Sequence, residues 1–168
     1  GSGYCLDTGR SAVAIVSTRV GWQCPSGQWG THKRATVDTT SRMKETVSTD
    51  AAPAAVGAYS QATTDGDLVF TAGQIPLTPD GELLDDASIA VQTERALDNL
   101  LAVLDEAGAA PEDVLKTTVF LADMDDFDEM NETYAGYFDE SPPARSAVEA
   151  GALPKGAGVE IEAVAVVE

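Results

Sequence analysis

Residues 43–168 predict one α/β (α+β) domain, a mixed sheet with both helices on one face. Three observations predict it. Segments 88–107 and 127–138 repeat apolar residues at helical spacing. Segments 67–71, 114–121, 144–149 and 159–167 are short, apolar and largely β-branched, the last in strict alternation. Their order (strand, helix, strand, helix, strand, strand) suits a two-layer fold.

Asp65-Gly66 is a turn signal, and Asp67-Leu-Val-Phe-Thr71 reads as a strand running into Ala72-Gly73-Gln74-Ile75-Pro76. Thr78-Pro-Asp-Gly81 is a second turn. The helix from Ser88 to Ala107 carries Val91, Leu97, Leu100, Leu101 and Leu104, with Asp85, Asp86 or Ser88 as cap and Gly108 as stop. Pro111 opens a turn into the strand Val114 to Leu121. The second helix, Phe127 to Phe138, presents Phe127, Met130, Tyr134 and Tyr137, capped by Asp125 or Asp126. Ala144 to Glu149 is a strand, Pro154 to Gly158 a loop, and Val159 to Val167 the final strand. One face of that strand is Val159, Ile161, Ala163, Ala165 and Val167; the other is Glu160, Glu162, Val164 and Val166. The second face is half apolar and no third layer covers it, so another subunit is expected there.

The chain has 168 residues, 43% of them apolar, too many for a wholly disordered polymer. Its net charge is −18, unevenly spread. Residues 1–42 hold five basic and two acidic residues, whereas 43–168 hold five basic and 26 acidic. Both cysteines, both tryptophans and the single histidine also precede Met43. Residues 1–42 are therefore read as an N-terminal extension or tag, with a targeting or regulatory arm as the alternative. The apolar stretch Ala12 to Val16 is too short for a secretory signal, and the expected compartment is the cytoplasm. A Cys5–Cys24 disulfide stays open.

Without Cys or His, residues 43–168 cannot build a Ser-His-Asp or Cys-His nucleophile, nor a zinc site of the usual N/S type. Cys5, Cys24 and His32 are too few for a structural zinc site. The acidity opposes nucleic acid and anionic membranes. Acids lie in every segment rather than one block, which favours a general surface property, as in a halophile, over an acidic binding face.

Arg145 is one of two arginines in 43–168. It reads either as an interface salt bridge or as a planar fork for a carboxylate. Glu160 reads as a solvated strand carboxylate, a partner for Lys155 or Arg145, or, if desolvated, an acid–base group with raised pKa. Glu162 ranks behind it on the same face. Tyr59 is a core aromatic or a cleft hydroxyl. Gly73 is a bend or a point of close backbone approach. Asn131 is a cap, a surface residue or a group near the site. Phe120 fills the core or walls the cleft, the core being favoured.

Several segments resemble the RidA family of reactive-intermediate (enamine/imine) deaminases, also known as YjgF-like or endoribonuclease L-PSP-like. They are Gly57-Ala-Tyr-Ser-Gln61, Gly73-Gln-Ile-Pro76, Asp113 to Leu121, Asn131-Glu-Thr-Tyr134, Pro142-Pro-Ala-Arg-Ser146 with Val148-Glu149, Leu153-Pro-Lys155 and Val159-Glu-Ile-Glu-Ala163. The resemblance spans 43–168 in order. It implies a chorismate-mutase-like fold, a homotrimer around a central barrel with clefts between subunits, and no cofactor or metal. It implies hydrolysis of 2-imino acids, such as 2-iminobutanoate and 2-iminopropanoate, to 2-oxo acids and ammonia. It assigns Arg145 to the substrate carboxylate, Glu160 to the hydrolytic water and Tyr59 to the cleft. Gly73, Ala72 and Ala147 supply backbone, with Asn131 and Phe120 nearby. Ala147 and Ala72 stand where the family often has cysteine and serine, which bears on rate and range. A non-catalytic binder of small carboxylates and a ribonuclease or translation inhibitor are the other readings.

At molar salt the Debye length falls to about 3 Å and like-charge repulsion is screened. The melting temperature should therefore rise, on the order of 5 °C or more, between low-salt buffer and molar KCl. Calorimetry across a salt series checks this; a flat profile contradicts a charge-limited fold.

Overall fold

The computed structural model describes residues 43–138 and 141–167. Residues 1–42, with Cys5 and Cys24, lie outside the described residues. Six strands form one sheet in the order β1-β2-β3-β6-β4-β5. They are β1 (Glu45–Val47), β2 (Ala62–Thr64), β3 (Leu68–Thr71), β4 (Val114–Leu121), β5 (Ala144–Glu149) and β6 (Val159–Val166). Every neighbouring pair is antiparallel except β4 with β5. Helices α1 (Ile89–Glu106) and α2 (Phe127–Ala135) supply the crossovers. β3 and β4 flank β6, so α1 connects two strands of like direction across it, and α2 connects β4 to its parallel neighbour β5. Right-handed crossovers place both helices on one face. There α1 packs on β6 and against α2.

Helix α1 begins where Ser88 Oγ accepts a hydrogen bond from Val91 N–H at 3.4 Å. It stops before Gly108, whose φ of +83° a residue with a Cβ rarely adopts. Its buried stripe is Ile89, Thr93, Ala96, Leu97, Leu100, Val103 and Leu104, joined by Gln92 and Asn99. Val91 is not part of it and is exposed. It stands six residues before Leu97, about 120° round the helix, so the two cannot share a face. Helix α2 is shorter than its pattern, ending at Ala135 with Gly136 as C-cap. Tyr137 has left the helix and donates its hydroxyl to Asp98 Oδ1 at 2.8 Å. Asp126 is the N-cap residue of α2, as expected, but its side chain makes no capping hydrogen bond; Asp123 Oδ1 instead accepts from Asp125 N–H at 2.9 Å and opens the 3-10 turn Met124–Asp126 that leads into α2.

The core lies between sheet and helices. On β6, Val159, Ile161, Ala163 and Ala165 face it and are buried, as the alternation predicts. On the other face, Glu160, Glu162 and Val164 are half-buried and Val166 is exposed. Phe70 and Val148, from β3 and β5, are exposed hydrophobics as well. Phe120 pairs in register with Glu160 and lies on this outer face, outside the core cluster, which corrects the favoured core position. Its place follows from β4 parity, because Val119 and Leu121 take the core side. Among the described residues no helix is long and apolar enough to cross a membrane.

Buried carboxamides tie the loops. Gln61 Nε2 donates to the carbonyls of Thr49 and Pro53 at 3.0 and 2.9 Å, while its Oε1 accepts from Thr49 N–H at 2.7 Å. Asn99, on α1, donates to the carbonyls of Ile75 and Leu77 at 3.2 and 2.8 Å. Gln92 Oε1 accepts from Gly158 N–H at 2.8 Å, at the entry to β6. Replacing Asn99→Ala leaves the Leu77 carbonyl without its amide partner and should cost about 1–3 kcal/mol. Urea unfolding measures this, and hydrogen exchange should show faster opening of 75–84; a variant as stable as the parent contradicts the tie.

Candidate active site

The loop after β3 and the entry of β6 meet at one point. Gln74 and Ile161 exchange backbone hydrogen bonds of 2.8 and 2.9 Å, which draws Gly73 beside Glu160. A Cβ on Gly73 would overlap the Glu160 carboxylate, with the carboxyl carbon 2.7 Å away. A side chain at 73 would therefore have to displace the Glu160 carboxylate from its present position. The carboxyl is half-buried, and burial, followed by the charge of Glu162, pushes its pKa above the ordinary value.

Glu160 forms one wall of a cleft of about 510 Å³. Tyr59, Ala72, Gly73 and Lys155 line it with apolar Val56, Ile75 and Leu77. Tyr59 is 56% exposed rather than a core aromatic, and its hydroxyl accepts from Val56 N–H at 3.3 Å. Four of the expected site residues (Tyr59, Ala72, Gly73 and Glu160) thus share one cleft.

Arg145 does not join them. Thr117 pairs with Arg145 on one side and with buried Ala163 on the other. That register puts Arg145 on the helix-bearing face, whereas Glu160 is on the opposite face. Arg145 lines a second cleft with Asn131, Tyr134, Phe138, Pro142 and Pro143. Its Nη2 donates to Asn131 Oδ1 at 2.6 Å, and its guanidinium carbon stands 4.5 Å from the Tyr134 ring centroid and 5.6 Å from that of Phe127. These partners are neutral. The one ion pair among the described residues is Arg95–Asp98, at 3.9 Å. Ala147 follows Arg145 on the same face and packs against the core. The expected constellation is thus divided between two faces of one chain.

Sequence reasoning missed Thr117 and the role of Tyr134 as more than a helix-stripe aromatic. The buried Tyr134 hydroxyl and Thr117 Oγ1 are 2.7 Å apart. Burial raises the phenol pKa, against the opposing hydrogen bond and the nearby guanidinium, so the ring stays neutral. The i, i+3 spacing of Asn131 and Tyr134 is a usable signal for their common face, but that they meet Arg145 depends on strand register. Among the described residues no group of three or more His, Cys, Asp or Glu could hold a metal ion.

Comparison with known proteins identifies the family. The family model for endoribonuclease L-PSP matches residues 49–167. A RutC family protein of Pyrococcus horikoshii is 50% identical over 123 residues, covering 73% of this chain and 98% of the relative. The 2-iminobutanoate/2-iminopropanoate deaminase of Escherichia coli K12 is 44% identical over 128 residues, covering 74% and 98%. The crystal structure of E. coli TdcF with bound serine superposes with a TM-score of 0.70 at 41% identity, covering 74% and 99%. The fold shared with such structures is the chorismate-mutase-like fold.

The raised Glu160 pKa has a signed consequence. The folded state then binds more protons than the unfolded state, so the Glu160 contribution is most favourable below its ordinary pKa and is lost as pH rises through the folded value. Glu160→Gln should therefore be more stable than the parent near pH 8 and indistinguishable near pH 4. Paired melting curves check this; a gap that grows toward low pH contradicts it.

Proposed function

The chain belongs to the endoribonuclease L-PSP family, the YjgF/RidA family, and we propose that it hydrolyses reactive 2-imino acids such as 2-iminobutanoate and 2-iminopropanoate to 2-oxo acids and ammonia. Arg145 carries this reading. In a chain of net charge −18, it is held by an amide oxygen and two aromatic faces, none of them anionic. Its positive charge is left for an incoming carboxylate, which a guanidinium takes in bidentate fashion. The deaminase name of the E. coli relative and the serine bound to TdcF point the same way.

The active unit is a homotrimer in which Arg145 of one protomer faces the Tyr59–Gly73–Glu160 cleft of the next. Two facts support assembly. Arg145 and Glu160 lie on opposite faces of one sheet, and the Glu160 face carries exposed Phe70, Val148 and Val166.

Arg145 anchors the carboxylate, and backbone groups at Ala72, Gly73 and Ala147 fix the imine plane. Water attacks the imine carbon, and Glu160 takes the proton the water loses, with Tyr59 holding the oxygen. Glu160 returns that proton to nitrogen as the tetrahedral carbinolamine forms; it then takes the carbinolamine hydroxyl proton and delivers it to nitrogen while the C=O bond forms and the C–N bond breaks, so that ammonia and the 2-oxo acid leave. A raised Glu160 pKa eases these transfers. Imines hydrolyse unaided, so positioning and proton transfer need supply only about a few powers of ten. The acidic surface disfavours the ribonuclease reading, since a phosphate backbone needs a basic track.

A threonine dehydratase generating the imine, with its disappearance followed at high salt, tests the activity. Arg145→Ala should lower kcat/KM about 10- to 150-fold, the equivalent of charge-assisted bonds of about 1.5–3 kcal/mol. Arg145→Ala mixed with Glu160→Gln should regain activity through hybrid sites. No acceleration by the parent removes the deaminase; saturable 2-oxo acid binding without turnover identifies a binder instead. Cleavage of single-stranded RNA revives the ribonuclease.

A further inference from the structure

The Arg145 side chain is long and solvent-accessible on one side, and a free guanidinium samples many rotamers. Something must fix it if it is to meet a carboxylate in one orientation. Three side chains of α2 bear on it: Phe127, Asn131 and Tyr134, at spacings of four and three that put them on one helical face. Asn131 grips a single nitrogen. Tyr134 lies nearer than Phe127, is itself 4% exposed, and packs on Phe138 with ring centroids 4.7 Å apart. Its hydroxyl ends at Thr117, which is fully buried and is the in-register neighbour of Arg145 on the adjoining strand. The chain of contacts therefore closes on itself: β5 carries the guanidinium, β4 carries the threonine beside it, and α2 bridges the two with one tyrosine.

Resting on the carboxylate-binding reading of Arg145, we infer that Tyr134, locked by Thr117, is the positioning residue that fixes the guanidinium plane for its ligand. The ring supplies a flat neutral floor on which the planar cation stacks, and the threonine prevents the ring from tilting away. The N–H groups not used by Asn131 stay available for a planar two-oxygen ligand. A carboxylate in the place of Tyr134 would hold the cation as firmly but neutralise it.

Two measurements separate this inference from the reading beneath it. The first needs no ligand. In ¹⁵N-resolved NMR, the Arg145 side-chain Nε–H is assigned by its loss in Arg145→Lys. It should be ring-shifted and motionally restricted in the parent, partly released in Tyr134→Phe and in Thr117→Val, which remove the same hydrogen bond, and mobile in Tyr134→Leu. An equally restricted Arg145 in Tyr134→Leu overturns the inference, whatever the ligand proves to be. The second is calorimetric titration with 2-oxobutanoate in the Arg145 and Arg145→Ala backgrounds. Tyr134→Leu should weaken binding about tenfold and Thr117→Val about threefold in the first background, and neither should matter in the second. A loss of equal size in both makes Tyr134 merely structural and overturns positioning. Binding indifferent to Arg145→Ala instead overturns the carboxylate reading and leaves the NMR result to judge Tyr134 alone. Tyr134→Phe keeps the buried volume, so folding failure of the leucine variant does not decide the question.

Discussion

The register of three strands is the constraint on which this molecule's chemistry depends. Thr117 on β4 has Arg145 beside it on β5 and Ala163 beside it on β6. Because side chains alternate faces along a strand, this alignment sends Arg145 toward α2 and Glu160 away from it. A slip of one residue would reverse both and drive Ile161 and Val159 out of the core. The burial of those two side chains therefore locks the positions of the two polar groups, and core packing and site geometry share one cause.

The cation and the carboxylate are treated differently by their surroundings. Arg145 is stacked on aromatic faces and hydrogen-bonded to an amide, partners that orient it without cancelling its charge. Glu160 is pressed against the Gly73 backbone, half out of water and near Glu162, conditions that favour its protonated form. A charge kept available and a carboxyl group that holds its proton more firmly than usual are complementary features of the two clefts. Both are achieved with ordinary residues and neither needs a histidine or cysteine.

The cleft is framed by amides buried in a chain otherwise crowded with acids. Gln61, Asn99 and Gln92 each bond backbone groups in the loops that shape it. A neutral amide satisfies carbonyls and N–H groups together, which a carboxylate cannot do. Burying a charge at these points would be costly, so the acids stay at the surface and the amides hold the frame.

Sequence alone determined the order of elements from β3 onward, the α1 boundaries with Ser88 and Gly108, the inward and outward faces of β6, and the residue types available for catalysis. These follow from short-range periodicity and composition. It did not disclose β1 and β2, whose three residues are too few for alternation to register, nor the early end of α2, where Tyr137 bonds to α1 instead. Val91 and Phe120 were misplaced because an apolar residue reports its face only through its neighbours' phase. Only the tertiary structure separated Arg145 from the Tyr59–Gly73–Glu160 cleft and set Tyr134 and Thr117 beside the guanidinium. Strand pairing joins residues distant in the chain, and no local pattern encodes which strand lies next to which.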